Sequence, residues 1–309
     1  MARKPRVEYP GAIYHVMNRG DHSEIVFRDH HDPELFLGTL AEACAKTDWQ
    51  VHSFCLMSNH FHLVIETPRA SLVDGMKWLM STYTARFNRK HKLFGHLFSG
   101  RYKALPVDGS TTGYLKSACD YVHLNPACAN LITPQQPLQD YPWSSYPLYL
   151  KPPAHRPSWL RTDRLFGEWG IPMDRPAGRE QFARAFEARR QADRTNAVED
   201  LPPSGWCIGT EQFRQELLQQ MTRMPERQYG GPEWQETAEK KALRILAEQL
   251  QQRGWDSDEL KIRRKGDPEK IKIARLLRTQ TTMTLPWIAD HLNMGAAGSV
   301  ANCLRNPHE

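Results

Sequence analysis

The sequence predicts an α+β domain, a Pro-rich connector and an all-α end, and three observations carry that prediction. Short strand-like runs alternate with longer runs of helical spacing over residues 12–125. Pro152-Pro153, Pro157, Pro172, Pro176, Pro202-Pro203, Pro225 and Pro232 punctuate the middle of the chain. From Glu233 onward apolar residues return at helical spacing. The expected division is therefore 1–150, 151–232 and 233–309.

In the first region the aromatic and β-branched run 12–18 reads as a strand, and 33–47 as a helix. Strands follow at 49–57 and 60–67, then a long helix at 71–91 and a strand at 102–107. Residues 113–125 read as a further helix, with Thr111 or Thr112 as N-cap and Pro126 as its stop. The order βαββαβα is that of a ferredoxin-like sandwich with an added helix. One helix, 179–194, is expected in the connector, which reads as extended around this helical insertion.

The last region predicts helices at 235–253 and 268–278, with Asp267 as N-cap and Pro268 at the first helical position. Residues 285–292, the turn Asn293-Met294-Gly295 and 297–304 have the apolar spacing of a helix-turn-helix. Such a unit would present Ser299, Asn302 and Arg305 to a duplex major groove. Lys261, Arg263, Arg264 and Lys265 upstream would add phosphate contacts.

Composition narrows the classes. The 309 residues carry a net charge of +6 and a pI near 9.0, which suits a polyanionic partner. Six scattered cysteines contain no Cys-x-x-Cys, which argues against a zinc knuckle and fits a reducing compartment. No apolar run approaches about 18 residues, so no membrane partner is expected. A cytoplasmic, nucleoid-associated protein is the expectation.

The chemistry centres on Ser58-Asn59-His60-Phe61-His62-Leu63-Val64-Ile65-Glu66. On a strand, i and i+2 side chains share a face, so His60 and His62 emerge together and provide two thirds of a metal site. On the later helix Tyr121 and Asn125 are i, i+4 and share a face, which supplies a phenol nucleophile and an oxygen-donating third ligand. A neutral phenol is a poor nucleophile and needs a local cation or base. A divalent metal on His60, His62 and Asn125 would instead polarise a phosphoryl oxygen. Tyr114, two turns before Tyr121, is a rival nucleophile, but its i+4 residue Ala118 offers no ligand. Glu66 lies about 13 Å beyond His62 along the strand, at about 3.3 Å per residue, and is a poor fourth ligand. His123 points away from Tyr121 and reads as structural or as a substrate contact.

Four blocks in order then carry a family resemblance. They are Arg6-Val7-Glu8-Tyr9-Pro10-Gly11-Ala12-Ile13-Tyr14-His15-Val16 with Asn18-Arg19-Gly20, Met57 to Val64, Gly95-His96-Leu97-Phe98-Ser99-Gly100-Arg101-Tyr102-Lys103-Ala104, and Tyr121-Val122-His123-Leu124-Asn125-Pro126-Ala127. The chain resembles the single-tyrosine HUH transposases of the insertion-sequence-200-like group, specifically the REP-associated tyrosine transposases, over about residues 3–132. It departs from that pattern at Ser58, where Pro is usual, and at Cys128, where a basic residue is usual. The resemblance implies Mg²⁺- or Mn²⁺-assisted cleavage and rejoining of single-stranded DNA at hairpin repeats, through a 5′-phosphotyrosine link. It also implies that residues 3–11, with Arg3, Lys4 and Arg6, help read a guide sequence, with Asn18 and Arg19 among the DNA contacts.

Between Asp74 and Asp108 lie Lys77, Arg86, Arg89, Lys90, Lys92, Arg101 and Lys103, with no acidic residue. Trp78, Tyr83, Phe87, Phe94, Phe98 and Tyr102 are interleaved, a combination suited to a backbone-tracking groove, although helical spacing also suits core packing. The alternatives are a rolling-circle initiator, a non-catalytic DNA-binding regulator and an unrelated zinc hydrolase. The oligomeric state is left open.

Overall fold

The computed structural model describes residues 7–193, 206–223, 238–256 and 258–305. Arg3, Lys4 and Arg6 lie outside the described residues, as do the start of the expected helix 235–253 and the end of 179–194.

The first region folds as β1 (Ala12–Arg19), α1 (His31–Thr47), β2 (Gln50–Met57), β3 (His60–Thr67), α2 (Leu72–His91), β4 (Lys103–Val107) and α3 (Tyr114–Cys128). The strands make one antiparallel sheet in the order β2-β3-β1-β4. Alternation along the strands gives the sheet two different faces. Tyr14, Val16, Phe54, Phe61, Leu63 and Ile65 pack under α1 and α2, against Phe36, Leu40, Leu79 and Tyr83. Ile13, Val64 and Val107 pack under α3, against Leu115, Ala118, Cys119 and Val122. His60, His62 and His15 share this second face, where Arg19 pairs with His60 and Met17 with His62.

Two boundaries of α3 differ from expectation. Pro126 does not stop the helix, which runs to Cys128. The helix forgoes the bond that the proline nitrogen cannot donate, yet bonding continues past it, with Ala129 N donating to the Asn125 carbonyl at 2.9 Å. Neither threonine caps the other end. The N-cap is Gly113 at φ 105°, a left-handed conformation open to glycine. A distant carboxylate does the capping, with Gly113 N and Lys116 N donating to Glu168 Oε2 at 3.0 and 2.9 Å.

That carboxylate belongs to the connector, which packs back on the sheet. After α4 (Tyr146–Leu150), which ends the first region, it contains α5 (Asp163–Glu168), α6 (Pro176–Asp193) and α7 (Glu211–Arg223). Of these, α6 is the expected helix; α5 is too short to show a period, and α7 is too polar. Phe182 and Phe186 of α6 are fully buried on the α3 side, each contributing about 1.5–3 kcal/mol by transfer from water. Ile208 joins the edge of β4, exchanging backbone bonds with Pro106 and Asp108.

The C-terminal helices are α8 (Ala238–Arg253), α9 (Glu259–Ile262), α10 (Pro268–Gln280), α11 (Leu285–His291) and α12 (Ala297–Arg305), around a core of Ile245, Ile273, Leu277, Ile288, Leu292 and Val300. Asp267 caps α10 as its position predicts, accepting from Glu269 N at 2.8 Å. This group rests on α1, on the side of the sheet away from α3. Lys46, buried on α1, donates to the carbonyls of Arg278, Thr279 and Thr281 at the end of α10, a favourable place for a cation. Burial, aided by Arg278, lowers its pKa to about 8. Among the described residues no helix is long and apolar enough to cross a membrane.

Candidate active site

Where the second sheet face meets α3, a cleft of about 580 Å³ is lined by His60, His62, Tyr121 and Asn125 on its floor and wall. All four residues expected to do chemistry are thus brought together, although they come from elements about sixty residues apart. The Tyr121 ring stands edge-on to His62 and to His15, with centroids 5.6 Å away in each case. Tyr114, the rival, does not line this cleft and packs on the α3 core instead.

The hydrogen bonds define which atoms face the cleft. Asn59 Oδ1 lies 2.6 Å from His60 Nδ1, while its Nδ2 donates to the Ser23 carbonyl. His60 therefore donates from Nδ1 and keeps a lone pair on Nε2. His62 Nδ1 lies 3.0 Å from His15 Nε2, so its Nε2 is the nitrogen left for a ligand. Asn125 donates through Nδ2 to the Tyr121 carbonyl at 3.0 Å, leaving Oδ1 open. Two imidazole nitrogens and one amide oxygen fit a divalent cation. Burial lowers the pKa of His60, assisted by the charge of Arg19. Burial also drives that of His62 well below the usual range, assisted by His15 and His60. Both rings are neutral at physiological pH, the form that ligates.

Glu66 is occupied elsewhere. His52, Arg161 and Arg164 surround its carboxylate at 2.9, 3.1 and 3.0 Å. Burial alone would raise its pKa, but His52 and Arg164 hold it down to about 2. His123 is fully buried, with Nε2 2.7 Å from Ser145 Oγ, and touches Tyr146, Tyr149 and Phe186.

The expected DNA contacts separate into two groups. Arg19, Arg101 and Lys103 are exposed and line the cleft. Arg86, Arg89 and Lys90 lie on α2, across the sheet from Tyr121. Arg86 pairs with Glu42 and Lys90 with Asp29 and Asp32, which ties α2 to α1 and the loop before it. Asn18 lines the cleft, but its amide is engaged locally, with Nδ2 on Met80 Sδ and Oδ1 accepting from Arg19 N. Of the interleaved aromatics, Trp78, Tyr83, Phe87, Phe98 and Tyr102 are buried and Phe94 is 98 % exposed. Ser299, Asn302 and Arg305 are exposed on α12, remote from this face.

Sequence reasoning missed His15, Asp21, His22 and Ser23. The last three form a cleft loop with His22 and Ser23 at φ 47° and 62°. Gly20 opens it, because a Cβ there would collide with the Glu24 carbonyl. His15 carried one signal, a lone polar residue within the run Ala12–Met17. Asp29, Asp32 and His91 also form a cluster of metal-ligand type. The Lys90 ammonium already bridges its two carboxylates at 2.6 and 2.7 Å, and it lies away from the cleft.

Residues 9–125 match the family model described as "Transposase IS200 like". A solved structure of a REP-associated tyrosine transposase bound to a REP hairpin aligns with 52 % of this chain and 91 % of its own, at 11 % identity and a TM-score of 0.40. No curated protein compared with the chain matches it.

Proposed function

We propose that the chain, whose residues 9–125 match the IS200-like transposase family model, cleaves and rejoins single-stranded DNA at hairpin-forming repeats, with Tyr121 as nucleophile. The convergence of Tyr121, His60, His62 and Asn125 on one cleft carries this reading. The Tyr121 oxygen attacks the scissile phosphorus, the bond to the 3′ oxygen breaks, and the phenol proton is lost as the leaving oxygen becomes a 3′-hydroxyl. The phosphodiester survives as a 5′-phosphotyrosine, so a second 3′-hydroxyl can reverse the step. His60, His62 and Asn125 would hold Mg²⁺ or Mn²⁺, which supplies Lewis-acid polarisation of the phosphoryl oxygen when bound. Arg19, Arg101 and Lys103 would take the flanking phosphates.

The sheet order and helix placement support a ferredoxin-like HUH domain. The exposed polar side of α12 after the turn at Asn293 and Gly295 supports a helix-turn-helix that grips duplex DNA. The Pro-rich region would join these two units, and a nucleoid location in the cytoplasm would follow. The test is incubation of the protein with Mn²⁺ and labelled single-stranded hairpin repeats, resolved on denaturing gels. A covalent protein–DNA band that chelator removes is expected; cleavage without any adduct would favour hydrolysis, and binding without cleavage a regulator.

All three ligands are neutral, so none offsets the charge of a hard cation, and free-protein affinity for Mg²⁺ should be low. DNA phosphate would supply the missing anionic oxygens, so metal and strand should strengthen each other's binding by the same factor. Calorimetric Mn²⁺ titration of a cleavage-deficient variant should show affinity at least tenfold higher with strand than without; equal affinities would remove the idea.

A further inference from the structure

We propose that His15 is the positioning residue for the metal centre: it accepts a hydrogen bond from His62 Nδ1 and thereby presents His62 Nε2 to the cation. The inference rests on the metal site proposed above and goes beyond it. His15 is 2 % exposed, stacked on His62 at a centroid distance of 5.2 Å with rings 21° apart. Its Nε2 is 3.0 Å from His62 Nδ1. A neutral imidazole has one N–H and one lone pair, so this contact has two arrangements. In one, His15 donates and His62 carries its proton on Nε2, facing the cleft as a donor. In the other, His62 donates and its Nε2 lone pair is free for a metal. Only the second can ligate, and the partner that accepts the His62 proton selects it.

The choice of partner matters. Metal-bound histidines commonly donate to a carboxylate or a backbone carbonyl, groups that accept always. An imidazole accepts in one tautomer only, so His15 allows both states of His62. Its other nitrogen, Nδ1, is buried with no hydrogen-bond partner among the described residues, so none of them locks the His15 tautomer. The His62 face is thereby convertible between donating to a phosphate oxygen and ligating a cation. His15 touches Tyr121 as well, so the same ring holds nucleophile and ligand in register.

The test compares His15→Gln, which can place an amide oxygen near the Nε2 position, with His15→Phe, which keeps a flat ring and no acceptor. Both are made in the Tyr121→Phe background to prevent turnover. Mn²⁺ affinity is measured calorimetrically with hairpin strand present, strand affinity is measured in chelator, and thermal melting checks folding. His15→Phe should lose about 10–100-fold in Mn²⁺ affinity, with strand affinity in chelator unchanged, and His15→Gln should recover most of the loss. Long-range ¹H–¹⁵N spectra should show His62 moving to the Nδ1–H tautomer on Mg²⁺ addition in wild type. Unchanged Mn²⁺ affinity in a folded His15→Phe, or a His62 tautomer indifferent to Mg²⁺, overturns the proposal. If no variant and no wild type binds Mn²⁺ at all, the metal site itself falls, which is a separate result.

Discussion

Tyr121→Phe is expected to abolish the covalent protein–DNA band completely, while Tyr114→Phe leaves it within about threefold of wild type. The reason is position as well as chemistry. Tyr121 lines the cleft beside His62 and Asn125, whereas Tyr114, on the same helix, packs against the α3 core. Removing one oxygen from Tyr121 deletes the only atom that can form the phosphotyrosine bond, and covalent catalysis has no partial form. Strand binding should survive, because the basic side chains and the fold are untouched. A band that persists in Tyr121→Phe and vanishes in Tyr114→Phe would keep the reaction class and refute the assigned nucleophile.

Acid should destabilise the fold well above the range in which most carboxylates titrate. His123 is completely enclosed, and that burial alone lowers its pKa to about 3. An unfolded histidine titrates near 6.5, so below that pH the unfolded chain takes up a proton that the folded chain refuses. Stability is therefore full above about pH 6.5 and falls as pH drops toward 3, with a loss of about 3 kcal/mol at pH 4 from this residue. Against a typical total of about 5–15 kcal/mol, that loss is large. His15, which burial lowers to about 4, steepens the same slope. Glu66, held down to about 2, acts lower, between about pH 4.5 and 2. Urea midpoints measured in chelator from pH 7.5 to 4 should fall throughout the lower half of that range, and His123→Leu should flatten the fall. A curve flat down to pH 4.5, or one unchanged by the substitution, would contradict the assignment.

The parts of this fold that the sequence reveals are the local ones. Strand alternation is enough to place His60 and His62 on one face, and Asp267-Pro268 announces the start of α10 through a cap whose partners are two and three residues away. The parts it hides depend on register or on distant partners. His15 becomes a neighbour of His62 only once β1 is paired with β3, since the two are 47 positions apart. The cap of α3 is hidden in the same way, because Thr111 and Thr112 are good local choices while Glu168, which caps it, is far away in sequence. The basic and aromatic stretch divides in a way that its composition does not show, with Arg101 and Lys103 at the cleft. Its composition suits nucleic acid, yet Trp78, Tyr83 and Phe87 fill the core, and Arg86 and Lys90 pair across to α1 or its preceding loop. Composition cannot separate a solvated charge from a paired one, and a helix turns both toward different neighbours.

The Glu168 cap also bears on how firmly the helix that carries Tyr121 is held. Over its first two turns α3 is moored to later parts of the chain. Its first turn is bonded to Glu168, Lys116 sits over the Trp169 ring, and Asp120 accepts from Trp169 and Arg189. All of these partners come after the helix in the same chain. Tyr121, the proposed nucleophile, is thus held beside His62 and His15, and residues downstream of 150 clamp the helix that carries it.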